Sequence, residues 1–125
     1  MEARRKPMIA RIWRCTLARE NLRPYLEHFE NSVLAQVNAL DGFSEVTIME
    51  RDAGEGVVEL TVVSRWKTME SIKAFAGDDV EVAVVAETAR ELLRSFDERV
   101  THHTILLHAG PDVPSPDLPD ASLAG

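Results

Sequence analysis

The chain has 125 residues, 45% of them hydrophobic and 28% charged, which is the size and make-up of one globular domain and excludes a multidomain reading. Its single cysteine, Cys15, excludes an internal disulfide, and no stretch approaches the roughly 18 consecutive apolar residues of a membrane span, so a soluble, cytoplasmic protein is expected. A net charge of −7, from 14 basic and 21 acidic residues, repels a phosphate backbone and argues against nucleic acid as a partner.

Arg4, Arg5 and Lys6 are not followed by a signal-like apolar run, because Arg11 interrupts Ile9 to Trp13. Met8 to Leu17 reads as a first strand, short and rich in β-compatible residues. Alternation puts Arg11, Trp13 and Cys15 on one face of it and Ala10, Ile12 and Arg14 on the other, without saying which face is inward. From Leu22, the residues Tyr25, Leu26, Phe29, Val33, Val37 and Leu40 recur at three- and four-residue steps, the apolar face of a helix of about five turns. Pro24 is tolerated in its first turn, and Asp41-Gly42 ends it.

Phe43 to Arg51 resumes a strand pattern, and Asp52 to Gly56 is a hairpin signal. Val57 to Lys67 is the strongest strand, with Val58, Leu60, Val62 and Trp66 alternating with Glu59, Thr61 and Arg65. Thr68 is placed to cap a short helix carrying Met69, Ile72 and Phe75 inward, with Gly77 ending it. A further helix is expected from about Glu87 to Phe96, through Ala89, Leu92 and Leu93, and a last strand from about Arg99 to His108. Residues 110–125, with four prolines and no apolar period, read as a flexible tail, leaving 8–109 as the domain.

Strand, helix, strand, strand, helices, strand is the split β-α-β order of an α+β, ferredoxin-like fold: a four-stranded antiparallel sheet with helices on one face. The other face is left bare, and a homodimer packing sheet against sheet is the economical way to cover it.

No glycine-rich phosphate loop, paired-cysteine metal pattern or Gly-x-Ser-x-Gly elbow is present. No metal or cofactor is expected. His102 and His103 are adjacent on a strand, point to opposite faces and cannot chelate one ion together. If His102 faces the helices, it is either a hydrogen-bonded core histidine or a general base near neutral pH. His28 and His108 read as surface residues, and Cys15 as a small core residue. Trp66 ends the apolar face of the strongest strand, where a ring either packs the core or floors a pocket between sheet and helices. Arg14 is the candidate partner of a substrate anion, the alternative being a solvated or dimer-edge arginine.

The order of elements, the stretch from Arg65-Trp66-Lys67-Thr68 through Phe75-Ala76-Gly77-Asp78-Asp79, and the later Val100-Thr101-His102-His103 resemble the antibiotic biosynthesis monooxygenase superfamily over about residues 8–108. The resemblance implies a dimeric α/β barrel with a pocket between the sheet and the helices of each subunit. Some members oxidise phenols with molecular oxygen and neither metal nor flavin. By that similarity Trp66 and His102 would line the pocket, with Phe75 in its wall, and the substrate would be a small phenolic or enolic aromatic. His102 would deprotonate it while Trp66 stacks on its ring. A non-catalytic ligand-binding or structural dimer is the alternative. Haem-degrading members carry an iron-ligating histidine about ten residues after the tryptophan, where this chain has Ala76 and Gly77, and an asparagine on the first strand that is absent here. Haem is therefore not expected. His103 stands where a tyrosine is common in the branch.

Overall fold

A computed structural model of the protein describes residues 7–113. The segment with the clearest alternation, β3 (Val57–Trp66), lies inside the sheet. Val58, Leu60, Val62 and Trp66 are buried on one of its faces, while Glu59, Thr61 and Arg65 are part-exposed on the other. β1 (Ile9–Ala18) pairs antiparallel with one side of β3, and β2 (Phe43–Gly54) with the other. The β2–β3 hairpin turns through Glu55 and Gly56 at φ of 54° and 76°, the left-handed pair that suits a two-residue turn between twisted strands.

The pairing of β1 with β3 decides which face of the first strand is inward. Arg11 lies opposite Ser64, Trp13 opposite Val62, Cys15 opposite Leu60 and Leu17 opposite Val58, so these four β1 side chains join the buried face. Arg14 points the other way and is exposed.

Over that buried face runs α1 (Leu22–His28), a π-turn (Phe29–Val33) and α2 (Leu34–Asn38). The π-turn answers to the spacing of Phe29, Val33 and Val37. Each four-residue step overshoots an α-helical turn by about 40°, so an unbroken α-helix would swing Val37 about 80° away from Phe29. The wider turn absorbs the extra residue and keeps both against the sheet, Phe29 at 9% and Val37 at 3% exposed.

α3 (Met69–Ala76) forms where the cap predicts it. The Ser71 amide donates to Thr68 Oγ1 at 3.1 Å, the Thr68 amide pairs with Ser71 Oγ at 3.4 Å, and Gly77 leaves the helix at φ 93°. Ile72 is fully buried beneath it.

Two expectations after Gly77 need correction. The helix from Glu87 to Phe96 stops after one turn as α4 (Glu87–Arg90), and Ser95–Phe96 becomes β4. The edge of β1 outcompetes the helical ladder: Arg94 N donates to Thr16 O at 2.8 Å, Asp97 N donates to Arg14 O at 3.0 Å, and the Phe96 ring meets Trp13 at 6.3 Å. The last strand is shorter than the expected Arg99 to His108, spanning only Thr101–Thr104, here β5. It pairs with Ile9 to Ile12, and one further bond joins Ile105 N to Met8 O. Leu106 and Leu107 are left exposed.

The sheet is thus α+β and antiparallel, in the order β2-β3-β1, with β4 and β5 end to end along the outer edge of β1. The fourth position is one broken strand. At the break the chain bulges outward to pair with residues 81–83: Val100 N donates to Glu81 O at 2.8 Å and Ala83 N to Glu98 O at 2.9 Å. In the single chain the sheet is open, and its outer face carries Ile12 and Val63 among the ion pairs Arg65–Glu45 and Arg51–Glu59. No helix among the described residues is long and apolar enough to cross a membrane. Of the tail expected at 110–125, Gly110 to Val113 form a turn closed at 3.1 Å, and the remainder lies outside the described residues.

Candidate active site

Between the buried face of the sheet and the helices lies a cavity of about 70 Å³. A water needs about 10–15 Å³ on this scale, so the space suits a single aromatic ring rather than several. Its walls are mostly apolar: Val62 and Val46 from the sheet, Tyr25, Phe29 and Val33 from the long helix, and Val84 to Ala86 from the extended stretch before α4. The lining also includes the polar side chains of Arg11, Ser64 and His28 and the phenol of Tyr25.

Trp66 and Phe75 both line the cavity. Their rings stack at 5.7 Å and 27°, and Phe43 closes the other side of the indole edge-on at 5.2 Å. Trp66 Nε1 donates to Ser64 Oγ at 2.9 Å, so the ring is held by a hydrogen bond as well as by packing. The Trp sits there because β3 ends at Trp66 and the Thr68 cap turns the chain at once into α3, bringing Phe75 back over it.

His102 is not among the residues lining the cavity. It lies opposite Arg11 in the β1–β5 register, and its Nε2 stands 3.0 Å from Arg11 Nη1, so the arginine comes between it and the cavity. A guanidinium has only donors, which makes Nε2 the acceptor and puts the ring proton on Nδ1. The lone pair expected to act as a base is therefore engaged. Burial first, and the Arg11 charge next, hold His102 below its ordinary value of 6.5, with Glu81 opposing and His103 adding to the fall.

The folded chain then takes up this proton later than the unfolded chain as the pH drops. The contribution to stability is nil above about pH 6.5 and negative below it. Stability measured by urea unfolding is expected to fall between about pH 7 and about pH 5, and less steeply in His102→Gln, which keeps an acceptor for Arg11 without titrating. Parallel slopes for the two proteins would show that His102 is not the group responsible.

Arg14 lies on the opposite face of the sheet from the cavity, so the alternation of β1 places Arg11 there instead. The side chain of Arg11 is 5% exposed and donates to Val80 O at 2.6 Å and Val82 O at 3.0 Å. Its guanidinium also lies over the Phe75 ring, 5.7 Å from the centroid. Outside the cavity, Arg99 bonds to Asp79 Oδ1 at 3.0 Å, tying down the stretch whose carbonyls hold Arg11.

His28 was expected at the surface; it lines the cavity, and its Nε2 is buried with no hydrogen-bond partner. A signal for it existed, since His28 stands three residues after Tyr25 and beside Phe29, on the inward face of the helix. Cys15 is 2% exposed, and burial, with Asp97 adding to it, pushes its thiol up to about 12, leaving no thiolate for chemistry at neutral pH. Among the described residues no group of three or more His, Cys, Asp or Glu could hold a metal ion. Ala76 and Gly77 offer no ligand at the end of α3.

The sequence matches no protein-family model and no curated protein. Solved structures do match the architecture. An antibiotic biosynthesis monooxygenase-type protein from Bacillus cereus superposes with a TM-score of 0.58 at 13% identity, over 83% of this chain and 98% of that one. A monooxygenase from Streptomyces coelicolor in complex with nanaomycin D gives 0.54 at 15% identity, over 89% and 95%. A heme-degrading protein from Mycobacterium tuberculosis, in a heme-free form, gives 0.52 at 16%, over 83% and 98%. At such identities the likeness is one of backbone path, and residue roles do not travel with it. In the path of its backbone, this chain has the fold of these antibiotic biosynthesis monooxygenase-type structures.

Proposed function

We propose that the protein is a monooxygenase-type catalyst that needs no cofactor of its own and acts on a single-ring phenol or enol held between the sheet and the helices. The observation that carries this reading is the cavity itself: small, apolar, floored by the Trp66–Phe75 stack, with a buried imidazole nitrogen lacking a partner in one of the side chains lining it. A substrate hydroxyl would satisfy His28 Nε2, which would take its proton as the electron-rich anion forms. The substrate supplies all four electrons that O₂ takes up, two as one oxygen atom bonds to the ring carbon and two more as the resulting hydroquinone-level product is oxidised and the other oxygen atom leaves as water. A phenol with a free para position and one O₂ yield a quinone and one water, so no external reductant is required. His102 enters this reading through Arg11, as a positioning residue, and Arg14 has no part in it. A second copy covering the open face of the sheet completes the unit, and a monomer mass by light scattering would remove that part.

Oxygen uptake by the pure protein with a panel of simple phenols tests the reaction. One O₂ is expected to disappear per quinone formed, without peroxide, and His28→Phe is expected to slow the rate by about 100-fold or more. A second reading, a dimer that binds a small ring without turning it over, is favoured by one observation: no carboxylate lines the cavity to act as a base. Phenols that bind and are recovered unchanged, with no oxygen consumed, would establish that reading and end the first.

A further inference from the structure

Arg11 is a cation in the wrong place for a purely structural residue. It is 5% exposed, yet its three partners, Val80 O, Val82 O and His102 Nε2, are all neutral. The ion pairs among the described residues join Arg19, Arg51, Arg65 and Arg99 to carboxylates, and Arg11 is in none of them. Burial lowers its pKa to about 10, which leaves it charged at neutral pH. A buried charge is ordinarily matched by an opposite one, because neutral hydrogen bonds offset only part of its lost hydration. No carboxylate among the described residues supplies the missing unit of negative charge, and Arg11 borders the cavity beside the Trp66–Phe75 stack.

We propose that the cavity takes its ligand as an anion, an aromatic ring bearing one ionised oxygen, and that Arg11 selects for that charge. The inference rests on the reading of this cavity as the ligand site and deepens it. The guanidinium has five N–H donors, and three bonds to protein leave donors for a ligand oxygen. Phe75 and Trp66 provide the faces for the ring, and the low polarity of the walls strengthens the attraction between the two charges. Arg11 thereby lowers the work of ionising a phenol in the cavity, and His102, accepting from the same guanidinium, keeps it aimed.

The probes are 4-nitrophenol, whose phenolate is yellow while its neutral form is not, and nitrobenzene, a ring of similar size with no ionisable oxygen. Bound to the protein, 4-nitrophenol is expected to ionise at least one pH unit lower than when free, meaning that the phenolate binds about tenfold or more tightly than the phenol. Arg11→Met should abolish that shift while nitrobenzene affinity stays within about threefold, and Arg11→Lys should retain a reduced shift. An unshifted probe on the wild-type protein overturns the proposal. So does a shift that persists in Arg11→Met, equal affinity for the two probes, or binding of neither. Should Arg11→Met fail to fold, the wild-type and Arg11→Lys titrations decide alone. A shifted probe with no oxygen uptake by any phenol would leave this inference standing and end the oxygenation reading; oxygen uptake with no charge preference would do the reverse.

Discussion

Trp66→Ala is expected to lower the unfolding free energy by about 3–5 kcal/mol, a large share of the roughly 5–15 kcal/mol that a domain possesses. The indole is fully buried and shares its cluster with Val37 and Ile72, at 3% and 0% exposed. It touches Phe43 on one side and Phe75 on the other, so truncation removes contacts to β2 and α3 together. The space left behind adjoins an existing cavity, so truncation enlarges it. Trp66→Phe keeps a ring between the two phenylalanines and gives up mainly the bond to Ser64 Oγ, for an expected loss of about 1 kcal/mol. Urea unfolding of both variants separates packing from hydrogen bonding. Equal midpoints would show that the volume of the indole is not what the cluster depends on. The comparison matters for enzymology too, because lost activity in Trp66→Ala alone would report unfolding rather than a role in the site.

The second large effect is expected at Gly42, far from any chemistry. Its φ is 97°, and a Cβ there would lie 2.5 Å from Ser71 Cβ and 2.7 Å from Ser71 Oγ. Neither side gives way easily. Gly42 O accepts from Lys67 N at 2.8 Å, and Ser71 is held by the Thr68 capping box. Gly42→Ala combines a left-handed backbone penalty of about 1–2 kcal/mol with overpacking of about 1–3 kcal/mol, so about 3 kcal/mol is expected in all. The two parts are separable. Ser71→Gly in the same chain removes the contact and leaves the backbone strain, so a double-mutant cycle should return a favourable coupling of about 1 kcal/mol or more. Additive effects would place the whole penalty in the backbone. Through this contact the turn before β2 and the first turn of α3 are locked together, and α3 is what holds Phe75 over Trp66.

The features readable in the sequence are those set by neighbours along the chain. The alternation of Val58 to Trp66 made a central strand, the Thr68 and Gly77 signals bounded α3, and Asp52 to Gly56 turned the hairpin, because caps, turns and strand periods are local physics. The cavity floor was legible for the same reason: Trp66 and Phe75 lie nine residues apart, on a strand end and the helix that follows it. Two histidines and an arginine were placed otherwise than expected. His28 reads from the sequence as a surface residue, although its helical step from Tyr25 turns it inward, and the cavity it lines is built by distant β1 and β3. His102 was expected on the wall and stands behind Arg11, since which residue of β1 it meets depends on the register of strands 91 positions apart.

Composition, charge, the order of elements through α3 and the ferredoxin-like α+β architecture were therefore determined by the sequence alone, through periodicity and capping within a few residues of each site. Only the tertiary structure decided that Arg11 rather than Arg14 faces inward, that the expected helix through Leu92 and Leu93 yields to β4, and that a cation is buried with no carboxylate partner among the described residues. Each of these turns on long-range pairing along β1, whose outer edge offers backbone hydrogen bonds that a local helix cannot outbid and whose register assigns every side chain to one face or the other.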